Sequence, residues 1–390
     1  MHIDSISSRP IPDTRGRPTV ETTLAAGPLS IIASVPSGKS TGSHEACELD
    51  TTLAIENVNG EIAQALIGHD FTTPNELDVF LIELDGTQNK SRLGANAILS
   101  ISIATQRLFA LEAGVPLWKA IANRAGTTLS APRLYVNMMN GGVHADFKLP
   151  FQEYIIVVER KMSEALPIAQ EAFIKLGERL GNVPMGDEGG YAPTFDTLEQ
   201  PFDILADLVK EFPGTSIAID AAASELFHHD HYELLGKSYS SEELITIYRS
   251  IAEKYPLHSI EDPFDEESAD DFTRMTAALG KNILIIGDDL TVTNPARIKE
   301  AVKHAEINAV LIKPNQIGTV KEAIEAVQAT YAAGWAAVAS HRSGETDDTF
   351  ISDFAYAIGA HGIKAGGLGQ KERLEKYERL LAIEQETEAS

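Results

Sequence analysis

The sequence predicts an α/β protein: a small N-terminal α+β domain followed by a (β/α)8 barrel with an irregular ββαα(βα)6 start. Three observations carry that expectation. Six stretches run apolar and then stop on a charged or proton-exchanging residue: Ser216 to Asp220, Leu257 to Glu261, Ile283 to Asp288, Ala309 to Lys313, Ala336 to His341 and Ile363 to Lys364. Their last residues follow one another at intervals of 23 to 41 positions, the length of one strand plus one crossover helix. With 390 residues and 43% apolar content, the chain can also fill a barrel of about 250 residues and leave a second domain over.

Taken in order, alternating apolar residues from Thr19 to Leu24 and from Leu29 to Val35 predict two strands joined by a turn at 25–28. Helical spacing follows from Ile55 to Ile67 and from Ala95 to Ala113, the second stopped by Gly114 and Pro116. Residues 1–125 then form the capping domain, Gly126 to Pro132 the linker and residues 133–390 the barrel. Leu134 to Asn140 and Glu153 to Glu159 complete the eight barrel strands. Their connection has no helical period and is barely long enough for a crossover, so the two are expected to be antiparallel neighbours. Two helical patterns, Ser163 to Leu180 and Leu198 to Phe212, flank a glycine-rich loop, with Asp196 as a capping candidate for the second. Leu374, Tyr377, Leu381 and Glu384 trace one face of a closing helix.

Composition narrows the function. A net charge of −25 argues against nucleic acid or an anionic membrane as partner, since both are bound through basic surface. Cys47 is the single cysteine, which leaves no internal disulfide and no thiolate zinc cluster and suits a reducing cytoplasm. The start carries no apolar signal region, and no apolar run approaches the ~20 residues of a membrane span.

In a parallel barrel the strand ends meet on one face, where active sites sit. Asp220, Glu261 and Asp288 end three successive strands, a set of hard oxygen donors that suits Mg²⁺ better than zinc or copper. Singly, each could be an ordinary turn or cap; together, with lysines ending neighbouring strands, they read as a site. Lys313 and Lys364 end the sixth and eighth strands. A lysine partly desolvated beside divalent cations has its neutral form favoured and can act as a base, while a second one kept charged can pair with an anionic substrate. Glu188, in the loop Asp187-Glu188-Gly189-Gly190, is a candidate acid or base delivered from above the barrel, and His144 follows Gly141-Gly142 in another loop. His228, His229 and His231 read as a solvated turn rather than a metal site. A rival reading is a nucleotide hydrolase through Ala33 to Ser40, a relaxed phosphate-loop pattern, but that motif needs a helix starting at Lys39, and Thr41-Gly42-Ser43 is poor helix material.

The segments DTRGRPTVE (13–21), PSGKSTG (36–42), NKSRLGANAI (89–98), NGGVHA (140–145), FQE (151–153), GDEGGYAP (186–193), SIEDPF (259–264), GDDLTVTNP (287–295), KPNQIGT (313–319), SHRSGET (340–346) and IK (363–364) occur in order. Through them the chain resembles the enolase family over almost its whole length. The resemblance implies Mg²⁺-dependent, reversible dehydration of 2-phosphoglycerate to phosphoenolpyruvate, with two Mg²⁺ per active site. Asp220, Glu261 and Asp288 would hold the first ion, and Ser40 would help to hold the second. Lys313 would take the C2 proton, while Glu188, with Glu153 and His341 nearby, would assist departure of the C3 hydroxyl. Lys364 would hold the substrate carboxylate and Arg342 with Ser343 its phosphate, with His144, Gln152, Glu153 and His341 lining the pocket. A cytoplasmic homodimer or higher homo-oligomer is implied as well. The nearest alternative is another α-proton-abstracting lyase or racemase of the same superfamily, which would share the three acids but lack the Ser40 loop and the Arg342-Ser343 pair. Two departures stand out. Lys39 adds charge where the family usually has a small residue, and Ala382 stands where many members carry an arginine that reaches a glutamate across the subunit contact, the position of Glu21 here.

Overall fold

The structure is a computed structural model that describes residues 1–39, 42–145 and 149–388. Three antiparallel strands open the chain, β1 (Ser5–Pro12), β2 (Pro18–Ala26) and β3 (Leu29–Ser34). Helices α1 (Thr51–Asn57), a π-helical turn (Val58–Ile62), α2 (Ala63–Leu66), α3 (Pro74–Asp85), α4 (Ala95–Glu112) and α5 (Leu117–Ala125) follow. The two predicted strands are present; β1 is added, and it carries Pro10 and Pro12, which a free sheet edge tolerates. The helix expected from Ile55 to Ile67 starts earlier, where the Asp50 side chain accepts from the Thr52 N–H, and runs on through the π turn. Helices α3 and α5 are additional to the expectation. Almost every residue of α4 is buried, because the helix lies against β2 and β3.

Eight strands close a barrel among the described residues: β4 (Arg133–Asn140), β5 (Glu153–Val158), β6 (Thr215–Asp220), β10 (Leu257–Glu261), β11 (Leu284–Gly287), β12 (Ala309–Ile312), β13 (Ala336–Ser340) and β14 (Gly362–Gly366). Strand β5 runs antiparallel to both β4 and β6, and the other pairs are parallel. The irregular start is therefore as expected. Helices α6 (Met162–Leu180) and α7 (Gln200–Val209) fill the long second connection. Asp196 does not cap α7: the helix begins after Glu199 and has no side-chain cap, and Gln200 accepts from the backbone of Asp196 and Thr197 instead.

A small antiparallel sheet, β7 (Phe227–His228), β8 (His231–Leu234) and β9 (Lys237–Tyr239), is inserted after β6. It holds His228, His229 and His231 in solvent, as a turn reading requires. Crossovers follow through α8 (Ser241–Lys254), α9 (Ala269–Leu279), α10 (Pro295–His304), the short α11 (Pro314–Ile317), α12 (Val320–Ala332) and α13 (Phe350–Ala357). The closing helix α14 (Lys371–Glu388) buries Tyr377 and Glu384, and Glu384 accepts from the Met162 and Ser163 N–H groups at 2.8 Å each, capping α6. Among the described residues no helix follows Lys39 before α1 at Thr51, and residues 42–45 form a turn, which disfavours the phosphate-loop reading. No single helix among the described residues is long and apolar enough to cross a membrane. Glu21 is bonded to Arg9 of its own chain at 2.7 Å, and Ala382 is half-buried on α14.

Candidate active site

Strand register sets the barrel mouth. Asp220 ends β6 beside Glu261 at the end of β10, and Asp288 follows β11. Because β5 runs the other way, its first residue rather than its last reaches the same face: Glu153 pairs with Asn140 on one side and Asp220 on the other. Lys313 follows β12, His341 follows β13, and Lys364 lies in β14 beside Ser340. A cleft lies above them. Its lining includes Glu45, His144, Gln152, Glu188, Asp220, Asp288, Lys313, His341, Arg342, Ser343 and Lys364. The sequence-predicted residues within the described range therefore come together, with Glu153 and Glu261 behind Lys364. Ser40 lies outside the described residues.

Two ammonium groups organise the acids. Lys364 Nζ bonds Asp220 Oδ2 and both Glu261 oxygens at 2.9 Å, and it also pairs with Glu153. Lys313 Nζ pairs with Asp288 Oδ2, whose other oxygen accepts from Gln316 Nε2 at 2.9 Å. The expected trio is thus interleaved with lysines. Among the described residues, the triplets whose ligand atoms draw within 4.8 Å of one another are Asp262 with Asp288 and Asp289, and Glu153 with Glu188 and His341. Bare buried carboxylates repel one another, and the chain's own cations separate and neutralise them. Burial favours the neutral form of Lys313, but Asp288 and Glu261 together outweigh that and raise its pKa above the ordinary lysine value. Lys364 is likewise held charged, since Asp220, Glu153 and Glu261 outweigh its burial.

The acid side is a second cluster. Glu188 accepts from Asn140 Nδ2 at 3.2 Å and lies 3.4 Å from His144 Nε2. His341 Nε2 is 3.8 Å from Glu153 Oε1. Burial, and then the charge of Glu188, push Glu153 well above the usual carboxylate range. Glu188 is also buried, yet His144, His341, Lys364 and Arg373 outweigh that cost and hold it well below the range. His144 reaches across to Asp187, which Lys39 also bonds at 2.7 Å. The His144 bond first, then Lys39, bring Asp187 down to about 2 against the effect of burial.

Four contributors were not anticipated. Asp262 adopts φ 41°, and its carboxylate accepts from the Asp288 and Asp289 N–H groups at 2.8 Å each, which aims Asp288 inward. Glu45 grips the Arg342 guanidinium with both oxygens, at 2.8 and 3.2 Å, and Asn315 adds a third bond at 3.1 Å. Asn140 holds both Glu188 and the Gly190 N–H. Arg373 is buried beneath His341. The antiparallel direction of β5 was the readable signal for Glu153, and a second acid directly after Glu261 was the signal for Asp262. Glu45 and Arg373 come from segments remote in sequence and gave none.

Fold and site together define a β/α-barrel enzyme with a carboxylate–lysine mouth capped by an α+β domain. Residues 3–121 match the enolase N-terminal domain and residues 128–390 the enolase C-terminal TIM barrel domain. The chain is 42% identical to a protein named enolase from Thermococcus kodakarensis over 100% of its own length and 96% of the relative's. It is 41% identical to enolases from Methanopyrus kandleri and Anaplasma phagocytophilum, covering 98% of this chain and 96% and 94% of theirs. The chain belongs to the enolase family, and it is an enzyme of the lyase class.

Proposed function

We propose that the chain catalyses the Mg²⁺-dependent, reversible dehydration of 2-phospho-D-glycerate to phosphoenolpyruvate, with two ions per site, as a cytoplasmic enzyme of glycolysis and gluconeogenesis and a homodimer or higher homo-oligomer. One observation carries the reading: a single cleft is lined by Asp220, Asp288, Lys313, Lys364 and Glu188, with Glu261 and Glu153 bonded behind Lys364, and the pKa values of Glu153 and Glu188 are pushed in opposite directions. That split is the usual sign of an acid and a base assigned by environment, and a lysine or histidine base with one or two Mg²⁺ is the known pattern of the enolase superfamily.

The residues fit the metal. Asp220, Glu261 and Asp288 offer only hard oxygens, and the single thiol, Cys47, does not line the cleft. They would hold the first ion, with Ser40 assisting the second. Bound there, Mg²⁺ supplies fixed positive charge against the substrate carboxylate and competes for the acids that keep Lys313 and Lys364 paired. Lys313, once its amine is free, takes the C2 proton. Removing a proton from carbon beside an ionised carboxylate places a second negative charge on the same oxygens, and Lys364 meets that charge. Glu188 and Glu153, with His341 and His144 against them, carry the proton that leaves with the C3 hydroxyl as water. Arg342, braced by Glu45, and Ser343 hold the phosphate, while Gln152 lines the pocket and bonds Asp220 at 3.2 Å.

The test follows the ultraviolet absorbance of phosphoenolpyruvate forming from 2-phosphoglycerate, first with Mg²⁺ and then with chelator. Metal-dependent turnover, lost in Lys313→Ala, is expected. Undiminished turnover in that variant reassigns the base, and no turnover by the intact protein with any divalent ion removes the reading.

A further inference from the structure

Arg373, in the first turn of α14, is fully buried at 0% exposure and makes no ion pair among the described residues. Its five N–H donors are matched by neutral acceptors. Nε donates to Gln370 Oε1 at 2.6 Å, Nη1 to the Arg342 carbonyl at 3.4 Å and to His341 Nδ1, and Nη2 to the carbonyls of Asp187 at 3.2 Å and Ser343 at 3.0 Å. A buried guanidinium that forms no direct ion pair is costly, and packing alone gives no reason to keep one there. The surroundings are shaped to admit it. A Cβ on Gly366 would stand 2.4 Å from the Arg373 side chain and one on Gly189 3.4 Å away, and both glycines have positive φ, +88° and +77°. The end of β14 and the Glu188 loop, far apart in sequence, are thus built around one guanidinium.

Arginine has only N–H groups to offer, so His341 Nδ1 must accept and its ring proton sits on Nε2. That is the atom facing Glu153. The same guanidinium ties the Asp187 carbonyl, one residue before Glu188, to the 342–343 backbone.

We propose that Arg373 is a positioning residue for the acid side of the site: it fixes His341 as the Nε2–H tautomer aimed at Glu153, and it locks the Glu188 loop and the 341–343 loop into one rigid unit. The roles of Glu153, Glu188 and His341 in dehydration come from the reading above, on which this rests; the tautomer does not.

Two measurements on the full-length protein test it. Nitrogen NMR of ¹⁵N-histidine-labelled protein, with the His341 signals assigned by their loss in His341→Gln, reads the tautomer without any turnover. The wild type is expected to show the Nε2–H pattern, and Arg373→Lys and Arg373→Gln a mixed or reversed one. An Nδ1–H or doubly protonated ring in the wild type, or an unchanged ring in a folded variant, overturns the proposal. In the dehydration assay, Arg373→Lys keeps the charge but cannot span the five acceptors, and a loss of about 100-fold in kcat with KM within about threefold of wild type is expected. Added guanidinium should restore part of the activity of Arg373→Ala. A folded Arg373→Lys with wild-type kcat, or with its loss confined to KM, counts against positioning. If the intact protein does not dehydrate 2-phosphoglycerate, the NMR result still decides on Arg373.

Discussion

At the scale of residues, the acid pair shows how environment divides work between identical side chains. Both glutamates are buried, but Glu188 is surrounded by His144, His341, Lys364 and Arg373, whereas Glu153 faces Glu188 itself. The two pKa values are thus pushed apart, that of Glu153 up and that of Glu188 down, although Glu188 is the residue that the loop motif put forward as acid or base. Glu188→Gln is expected to lower kcat for dehydration by about 10²- to 10⁴-fold while Lys313 continues to exchange the C2 hydrogen. Proton NMR of 2-phosphoglycerate in D₂O measures that exchange directly. Exchange and dehydration falling in parallel would place Glu188 on the proton-abstraction step instead. These roles could not be read from the sequence, because the pKa of a carboxylate depends on neighbours from four different segments.

At the scale of elements, strands that end a long apolar run were legible, and elements without such a run were not. Strand β1 (SISSRPIP) lacks alternation and carries two prolines. Helix α3 did advertise itself, with Thr73 accepting from the Glu76 N–H and Gly86 ending it in the left-handed region, but its apolar spacing is weak. The turn after β10 matters most for the site. Asp262 spends both carboxylate oxygens on the Asp288 and Asp289 N–H groups, and an asparagine can present only one oxygen there. Asp262→Asn is expected to cost about 1–3 kcal/mol of stability and to weaken Mg²⁺ binding by about tenfold or more, read by urea unfolding and titration calorimetry. Unchanged metal affinity would mean that Asp288 needs no such aiming. As a control, Ser240→Ala removes the capping box of α8 far from the mouth and should cost about 1 kcal/mol with kcat untouched.

At the scale of the whole molecule, the N-terminal domain completes the site as well as covering it. Arg107 binds Asp348 with two bonds of 2.6 Å, Lys90 pairs with Glu322 at 2.9 Å, and Glu45 reaches Arg342. Asp78 of α3 accepts from the Lys321 N–H at 3.0 Å at the start of α12, with its other oxygen unpartnered. Burial pushes its pKa up from 3.8 to about 6. The fold thus prefers the protonated form: the stabilisation is complete below pH 3.8, where the unfolded chain is also protonated, and it is lost as pH rises through about 6. The difference amounts to about 3 kcal/mol at most. Asp78→Asn should therefore raise the thermal midpoint at pH 7 to 8 and leave it nearly unchanged at pH 4. A variant less stable than wild type at pH 8 would show that the ionised carboxylate earns its place at the interface.

The sequence by itself determined the barrel, its irregular beginning and the set of strand-end residues, because strand length, crossover length and apolar runs are local properties that no distant contact can alter. Only the tertiary structure decided how those residues are paired. Lys364 neutralises the acids of β5, β6 and β10, Lys313 is held charged by Asp288, Glu45 grips Arg342, and Arg373 sets the ring of His341. Charge, protonation and tautomer depend on distance through space and on exclusion of water, and both come into being only when segments far apart in the chain close on one another.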